Sequence, residues 1–200
     1  MPTFSVRSRV QYTSTVKIYH NFNKNTNSVV ILYKGVIYTM KAITIWQPWA
    51  SLIAHGQKKI ETRSWKAPDN IIGQRIAIHA AVSMPKWVRK LCPGFAKLIG
   101  IKDYTGSWLY YIEQGVGPFG KIVATAKLAE CILITEDHEV MEYAIIGVGD
   151  KQRIVDGPEY HFGDYTPGRY AWILEDIQPL DNPIPAKGMQ RLWNWDGDIK

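Results

Sequence analysis

The stretch from Trp46 to Trp65 constrains what this chain can fold into more than any other part of the sequence. It places three tryptophans, two lysines, a glutamate and an arginine within twenty residues. Large aromatic faces beside charges of both signs are what a pocket for a planar, polar ligand requires, because rings stack on such faces and charged groups make the stronger hydrogen bonds. This stretch therefore predicts the functional site.

The first half of the stretch predicts a strand followed by a short helix. Residues 41–46 alternate between apolar and polar side chains, which is typical of a strand. Trp49, Leu52 and Ile53 then recur at the spacing of one helix face. Gly56 follows, and glycine readily takes the left-handed conformation that ends a helix.

The second half predicts a strand that carries charge on one face. Alternation over residues 59–65 puts Glu61 and Arg63 on the same side. Lys58 has the opposite parity, so it can join them only if it lies in the turn after Gly56. We expect that turn, and with it a cluster of three charged side chains.

Composition favours a single folded domain and excludes several classes of protein. The chain has 200 residues and is 46% hydrophobic, which is ample for a core. It contains no long apolar run typical of a membrane span and no signal-peptide pattern. Cys92 and Cys131 form no Cys-x-x-Cys pair and the five histidines are scattered, so we expect no metal site, no cofactor and no disulfide. A reducing cytoplasm fits this composition best.

The net charge of +6 is distributed very unevenly. Residues 1–39 hold five basic side chains and no acidic one, whereas residues 40–200 hold 19 basic and 18 acidic side chains. The folded part is therefore nearly neutral. Any affinity for nucleic acid must come from a local patch rather than from the field of the whole domain.

Residues 1–39 form a basic extension that we expect to be poorly ordered. One interpretation is a flexible arm that binds phosphates, and a second is a transit-like peptide, since the segment lacks acidic residues. A third is that the extension is not part of the natural protein. Met40 would then be the natural start, because a strong strand pattern follows it directly. In each case the domain spans residues 40–200.

The remaining pattern predicts an α+β domain. Strands are predicted at 74–80, 120–134, 169–176 and 192–195, with short helices near Pro85, after Ser107 and over 138–146. Residues 147–168 are rich in Gly, Asp, Pro and Tyr and predict a long loop. Five or six mixed strands with scattered short helices favour a curved sheet or a small β-barrel.

The spacing Gly56-x-Lys58-x-x-Glu61-x-Arg63 resembles the signature of ASCH domains. Other segments resemble the same family in the same order: Gln47-Pro48-Trp49-Ala50, Ser64-Trp65, Trp172, Pro183-Ile184-Pro185-Ala186-Lys187-Gly188 and Trp193. The resemblance covers residues 40–195. It implies a PUA-like fold, which is a small β-barrel with surrounding helices, and a cleft that binds RNA or a modified nucleoside.

Some small ASCH proteins are amidohydrolases that deacetylate acetylated cytidine, and the resemblance implies this activity as an alternative. Their catalytic set includes a lysine, a threonine three residues later and a distant glutamate. Lys58 matches the lysine, but Glu61 stands where those relatives carry threonine. This departure favours recognition over catalysis.

The residue types suggest a role for each candidate. Lys58 and Arg63 suit a phosphate or carboxylate, and Glu61 suits the amino group of a base. The further candidates for ligand binding are Trp46, Gln47, Trp49, Trp65, His79 and Lys187, with Gln190 and Arg191 as weaker ones. Each has a structural alternative: Glu61 and Arg63 can pair with each other, most tryptophans belong to cores, and His79 lies in an apolar strand.

Three functional hypotheses remain open at this level. The first is a module that recognises RNA or a modified nucleoside. The second is a hydrolase of a nucleobase amide or of RNA, in which Lys58 and Glu61 would be catalytic. The third is a structural or partner-binding domain in which the signature only braces the fold.

Overall fold

The computed structural model describes residues 31–33, 36–38 and 40–196, the first two by their backbone alone. These residues form ten strands, five α-helices and three 3-10 turns. The strands are β1 (Ile31–Tyr33), β2 (Val36–Tyr38), β3 (Met40–Ile45), β4 (Ile60–Arg63), β5 (Arg75–Ala80), β6 (Lys121–His138), β7 (Tyr143–Ile146), β8 (Arg153–Val155), β9 (Tyr170–Pro185) and β10 (Leu192–Trp195). The helices are α1 (Trp49–Ala54), α2 (Lys86–Arg89), α3 (Cys92–Leu98), α4 (Trp108–Glu113) and α5 (Gly157–His161). The 3-10 turns are Asp69–Ile71, Glu139–Met141 and Gly149–Lys151.

The fold is an α+β arrangement around one mixed sheet of eight strands. β3 and β5 are parallel, whereas the other neighbours in this sheet are antiparallel. The long strands β6 and β9 pair with each other, and β6 also pairs with β5 and β7. Within residues 40–196 no pairing joins β4 to β10, so the closed barrel is not confirmed.

The strand between Gly56 and Trp65 forms as the alternation predicts. Gly56 ends the turn after α1 with a φ of 71°, and Lys58 lies in the irregular segment before β4. β4 pairs with β9, with Glu61 opposite Trp172 and Arg63 opposite Tyr170. α1 packs against the sheet through Ala50 and Ile53. Local alternation therefore fixed the orientation of the charged face correctly.

Helices α2, α3 and α4 form a layer beside α1 with a core of its own. Leu52 of α1 packs there with Val88, Phe95, Leu109 and Phe162, all of them buried. The start of α4 is capped as expected, since the Ser107 hydroxyl accepts from the Tyr110 amide at 3.3 Å. No helix of the described residues is long and apolar enough to cross a membrane.

Two predictions in the region between β6 and β9 are wrong. Residues 138–146 are not a helix: a 3-10 turn ends at Glu142, which has a φ of 56°, and β7 follows. β7 instead extends the sheet by pairing with the end of β6 across a hairpin, with His138 opposite Tyr143 and Ile134 opposite Ile146. Residues 147–168 are not one loop either, because they contain β8 and α5. These added strands are why the sheet exceeds the five or six strands expected.

The sequence predicts that residues 1–39 are poorly ordered, and most of them lie outside the residues that the structure describes. β1 and β2 are the exception, and they pair with each other as a separate antiparallel sheet of two strands.

Candidate ligand-binding site

A cavity of 810 Å³ opens beside β4, with walls from four parts of the chain. The end of β3 and the face of β4 form one side, α2 and α3 form a second, and residues 161–164 form a third. Residues 189–191 complete the rim. Its volume is within the range of pockets that hold small organic ligands.

Four tryptophans line this cavity: Trp46, Trp49, Trp65 and Trp87. Trp46 and Trp87 remain 47% and 58% exposed, which is unusual for the largest apolar side chain. Their rings meet at 80° with 6.4 Å between centroids, so they are not stacked face to face. The cavity therefore offers aromatic surface that the fold itself leaves uncovered.

Glu61 and Arg63 project from the same face of β4 and both line the cavity. The Nε atom of Arg63 lies 3.0 Å from a carboxylate oxygen of Glu61, and Arg63 Nη2 donates to the carbonyl of Thr44 at 2.9 Å. These contacts fix the guanidinium between β4 and β3. The two side chains are only 12% and 23% exposed, so their charges face the cavity from a partly desolvated wall.

Lys58 does not line the cavity but lies behind it, with 1% of its side chain exposed. Its ammonium donates to the carbonyl of Ile60 and, at 2.8 Å, to that of Phe162, and it lies 3.7 Å from the Glu61 carboxylate. Burial lowers the pKa of Lys58, and the carboxylates of Glu61 and Glu159 offset part of that effect. With these three partners, Lys58 braces the start of β4 against the segment after α5.

Glu159 completes this buried brace, although nothing in the local pattern pointed to it. Its two carboxylate oxygens accept from the backbone amides of Lys59 and Ile60 at 2.7 and 3.0 Å. Burial raises the pKa of Glu159, and nearby Lys58 opposes that shift. An acidic side chain of α5 thus holds the first residues of β4 from about one hundred residues away in sequence.

Three other predicted residues, Gln47, His79 and Lys187, lie outside the cavity lining. The amide oxygen of buried Gln47 accepts from the Ser51 amide at 3.1 Å, which caps the first turn of α1. Lys187 is exposed on the segment after β9. These placements leave their predicted ligand contacts untested.

His79 is fully buried in β5 and lies under the segment after β9. Its Nε2 atom is 3.1 Å from the Ala186 carbonyl, and burial lowers its pKa. A β-carbon on Gly188 would lie 2.6 Å from His79 Nδ1 and 3.0 Å from Thr44 Oγ1. Glycine is therefore required for this segment to pass so close to the sheet.

The same segment carries rim residues to the cavity. Thr44 Oγ1 donates to the Met189 carbonyl at 2.9 Å, directly before Gln190 and Arg191. The Arg191 guanidinium lies over the Trp65 ring, 5.9 Å from its centroid. Among the described residues, no carboxylate pairs with Arg191, so this cation has remaining capacity for an anion.

The structure adds site residues that the sequence reasoning missed. Arg169 lies at the cavity and pairs with Asp164 at 3.3 Å, and Trp87 reaches the rim from α2. Asp164 lay in the segment interpreted as a loop, and no local pattern connects it to β4. Within the part of the chain that the structure describes, no group of histidine, cysteine and acidic residues could hold a metal ion.

Comparison with known proteins agrees with the family resemblance of the sequence. The model of the ASCH domain family matches residues 43–183. The chain belongs to the ASCH domain family. Two matching solved structures are mutant forms of ZmASCH from Zymomonas mobilis, each 18% identical to this chain. One covers 74% of this chain and 76% of its own with a TM-score of 0.36, and the other covers 73% of both with a TM-score of 0.35. A search of curated proteins gave no match.

Proposed function

We propose that this ASCH protein binds RNA or a modified nucleoside in the cavity beside β4. The observation that carries the proposal is the juxtaposition of four tryptophans with Glu61 and Arg63 around one cavity of 810 Å³. Unstacked bases bind by stacking on aromatic rings and by hydrogen bonds to their edges. Both kinds of group face the same space here.

The charges support a nucleotide better than a neutral apolar ligand. Glu61 has carboxylate oxygens suited to the exocyclic amino group of a base. Arg191 and the remaining N–H groups of Arg63 suit a phosphate or an acidic ligand group. Part of the proposal is that the sheet and its helices form the PUA-like architecture that the family resemblance implies.

Hydrolysis is the less favoured activity of this site. The lowered pKa of Lys58 is the property that an activating lysine requires. However, its ammonium is surrounded by Ile60, Phe162 and Glu61 and lies behind the cavity wall. The contacts of Lys58 support a bracing role, with ligand recognition left to the residues that face the cavity.

The proposal is tested by a thermal-shift screen of the purified protein. The ligands are the four ribonucleosides, their 5′-monophosphates, acetylated cytidine and short single-stranded RNAs. A ligand that binds only the folded state raises the melting temperature in a concentration-dependent way. We expect at least one nucleoside, nucleotide or RNA to do so, and the absence of any shift would contradict the proposal.

Two additions distinguish the competing activities. Mass spectrometry of each mixture after incubation detects consumption of acetylated cytidine or RNA, which recognition alone does not produce. The second addition is Arg63→Ala, which removes a cation of the cavity wall and should weaken ligand binding. Its matched control is Arg153→Ala, because Arg153 is also paired with a carboxylate, Glu130 at 2.7 Å, but does not line the cavity.

A further inference from the structure

A strongly basic segment adjoins the cavity on its α2 side. Residues 81–102 contain five basic side chains and no acidic one, whereas the rest of residues 40–200 contains 14 basic and 18 acidic side chains. The positive charge of the folded domain is therefore concentrated on α2, α3 and the residues around them. Such a patch raises the local concentration of polyanions.

α2 presents an exposed aromatic ring together with two of these cations. Trp87 and Leu91 are four residues apart, and both reach the cavity. Lys86 is the first residue of α2 and Lys90 directly follows its last one in helical conformation, so the two lysines lie on the neighbouring row, and both are exposed. Among the described residues no carboxylate pairs with either lysine.

Trp87 has aromatic surface beyond what the cavity uses. It contacts Trp46 edge-on and Trp49 at a tilt of 57°, and 58% of it still faces solvent. Arg89, by contrast, is turned inward and donates to the Glu113 carbonyl at 3.1 Å. Arg89 is therefore used by the fold, whereas Lys86 and Lys90 lie outside the cavity lining, beside the exposed part of the Trp87 ring at the rim.

From these observations we infer a second nucleotide-binding station at the rim, formed by Lys86, Trp87 and Lys90. The ligand is then a single-stranded polynucleotide that places one base in the cavity, stacks a neighbouring base on Trp87 and lays its phosphates along the two lysines. Stacking rings beside a basic surface are how proteins bind single strands. This inference rests on the proposed function, since it extends the same site from one nucleotide to a chain.

The test compares fluorescein-labelled heptanucleotides of RNA and of DNA with the four ribonucleoside 5′-monophosphates, using wild type and variants of the full chain. We expect wild type to bind the heptamers more tightly than any monophosphate. Trp87→Ala should lower heptamer affinity about 5- to 150-fold, the range for one stacked base. Its effect on monophosphates should be smaller. The RNA and DNA arms show whether the 2′-hydroxyl contributes.

The salt dependence of heptamer binding tests the two lysines independently of Trp87. Each phosphate contact adds about 0.7 to the slope of log affinity against log salt for single strands. The double substitution of Lys86→Gln with Lys90→Gln should therefore reduce the slope by about 1.4. The matched control is Lys97→Gln with Lys102→Gln, which removes the same charge from the same segment. Lys97 lies two residues from Phe95, on the side of α3 that faces away from the cavity.

The outcomes separate this inference from the proposed function. Equal affinity for heptamers and monophosphates, or equal salt slopes for the two double variants, overturns the second station while leaving the cavity proposal intact. Tight heptamer binding that survives Arg63→Ala but falls with Trp87→Ala contradicts the cavity proposal, and with it a ligand that spans the cavity and Trp87. Binding of neither ligand overturns both.

Discussion

The two cations of the signature, Lys58 before β4 and Arg63 at its end, have opposite environments, although they are only five positions apart in the sequence. At the first end, Lys58 is buried and bonded to Ile60 and Phe162. At the second end, Arg63 faces the cavity and shares the Glu61 carboxylate. A single motif can thus contain a structural half and a half available to ligand, so its charged residues need not act together.

The largest expected effect is at the buried end. Lys58→Met keeps the approximate length of the side chain but removes the ammonium, leaving the carbonyls of Ile60 and Phe162 without this donor and Glu61 with Arg63 as its remaining cation. Removing one partner from a buried charged cluster destabilises a protein by about 3–5 kcal/mol. Chemical denaturation measures this loss. A change below about 1 kcal/mol would show that Lys58 does not brace β4.

A smaller effect of a different kind is expected at the open end. Arg63→Ala should reduce nucleotide affinity about 10- to 150-fold, because it removes a charge-assisted contact worth about 1.5–3 kcal/mol. The free energy of unfolding should fall by less than about 1.5 kcal/mol, and titration together with denaturation measures both. Unchanged affinity with a large loss of stability would make Arg63 a second brace instead.

The segment after β9 sharpens the comparison, because it shapes the open end without touching the buried one. Gly188→Ala places a methyl group against the buried His79 ring and Thr44. Overpacking of this kind destabilises by about 1–3 kcal/mol. It should also displace Gln190 and Arg191 and weaken nucleotide binding.

The control for Gly188→Ala is Gly94→Ala on α3, where the added methyl meets open space. That substitution should be neutral or stabilise by up to about 1 kcal/mol. If both variants behave alike in denaturation and titration, the close approach at Gly188 has no consequence.

The smallest expected effect is a pH dependence from His79. Burial holds the pKa of His79 below the usual 6.5. On acidification the imidazole therefore binds a proton at a higher pH in the unfolded chain than in the folded one. The stability that neutral His79 contributes is present above pH 6.5 and is lost as the pH falls through the folded-state pKa. His79→Gln should therefore lose less stability than wild type between pH 7 and pH 5, with a difference of at most about 1.4 kcal/mol per pH unit. Parallel curves would contradict this account.

The sequence predicted the features of this site that depend on near neighbours. Alternation put Glu61 and Arg63 on one face of β4, and the position of Gly56 put Lys58 in the turn. The walls contributed by distant segments were not predictable in this way. Glu159 on α5 accepts a hydrogen bond from the first residue of β4, and Asp164 lies in a segment whose sequence predicts a loop.

The sequence did contain an indication of the basic surface around Trp87, in the local charge of the segment that carries it. The net charge of residues 40–200 is near zero, which argues against a basic surface when the domain is taken as a whole. Counted over 81–102 alone, the charge is +5, and the exposed tryptophan lies within that segment. Charge counted over shorter windows would have pointed to α2.

The most direct test of the central claim is to follow the indole N–H signals of the eight tryptophans by NMR while a nucleotide is added. Trp46, Trp49, Trp65 and Trp87 line the cavity, whereas Trp108 and Trp195 do not and serve as internal references. The account predicts saturable shifts in the cavity tryptophans of wild type, strongly weakened in Arg63→Ala, with the two references unchanged. Saturable shifts confined to Trp108 and Trp195, or equal shifts in wild type and Arg63→Ala, would contradict it.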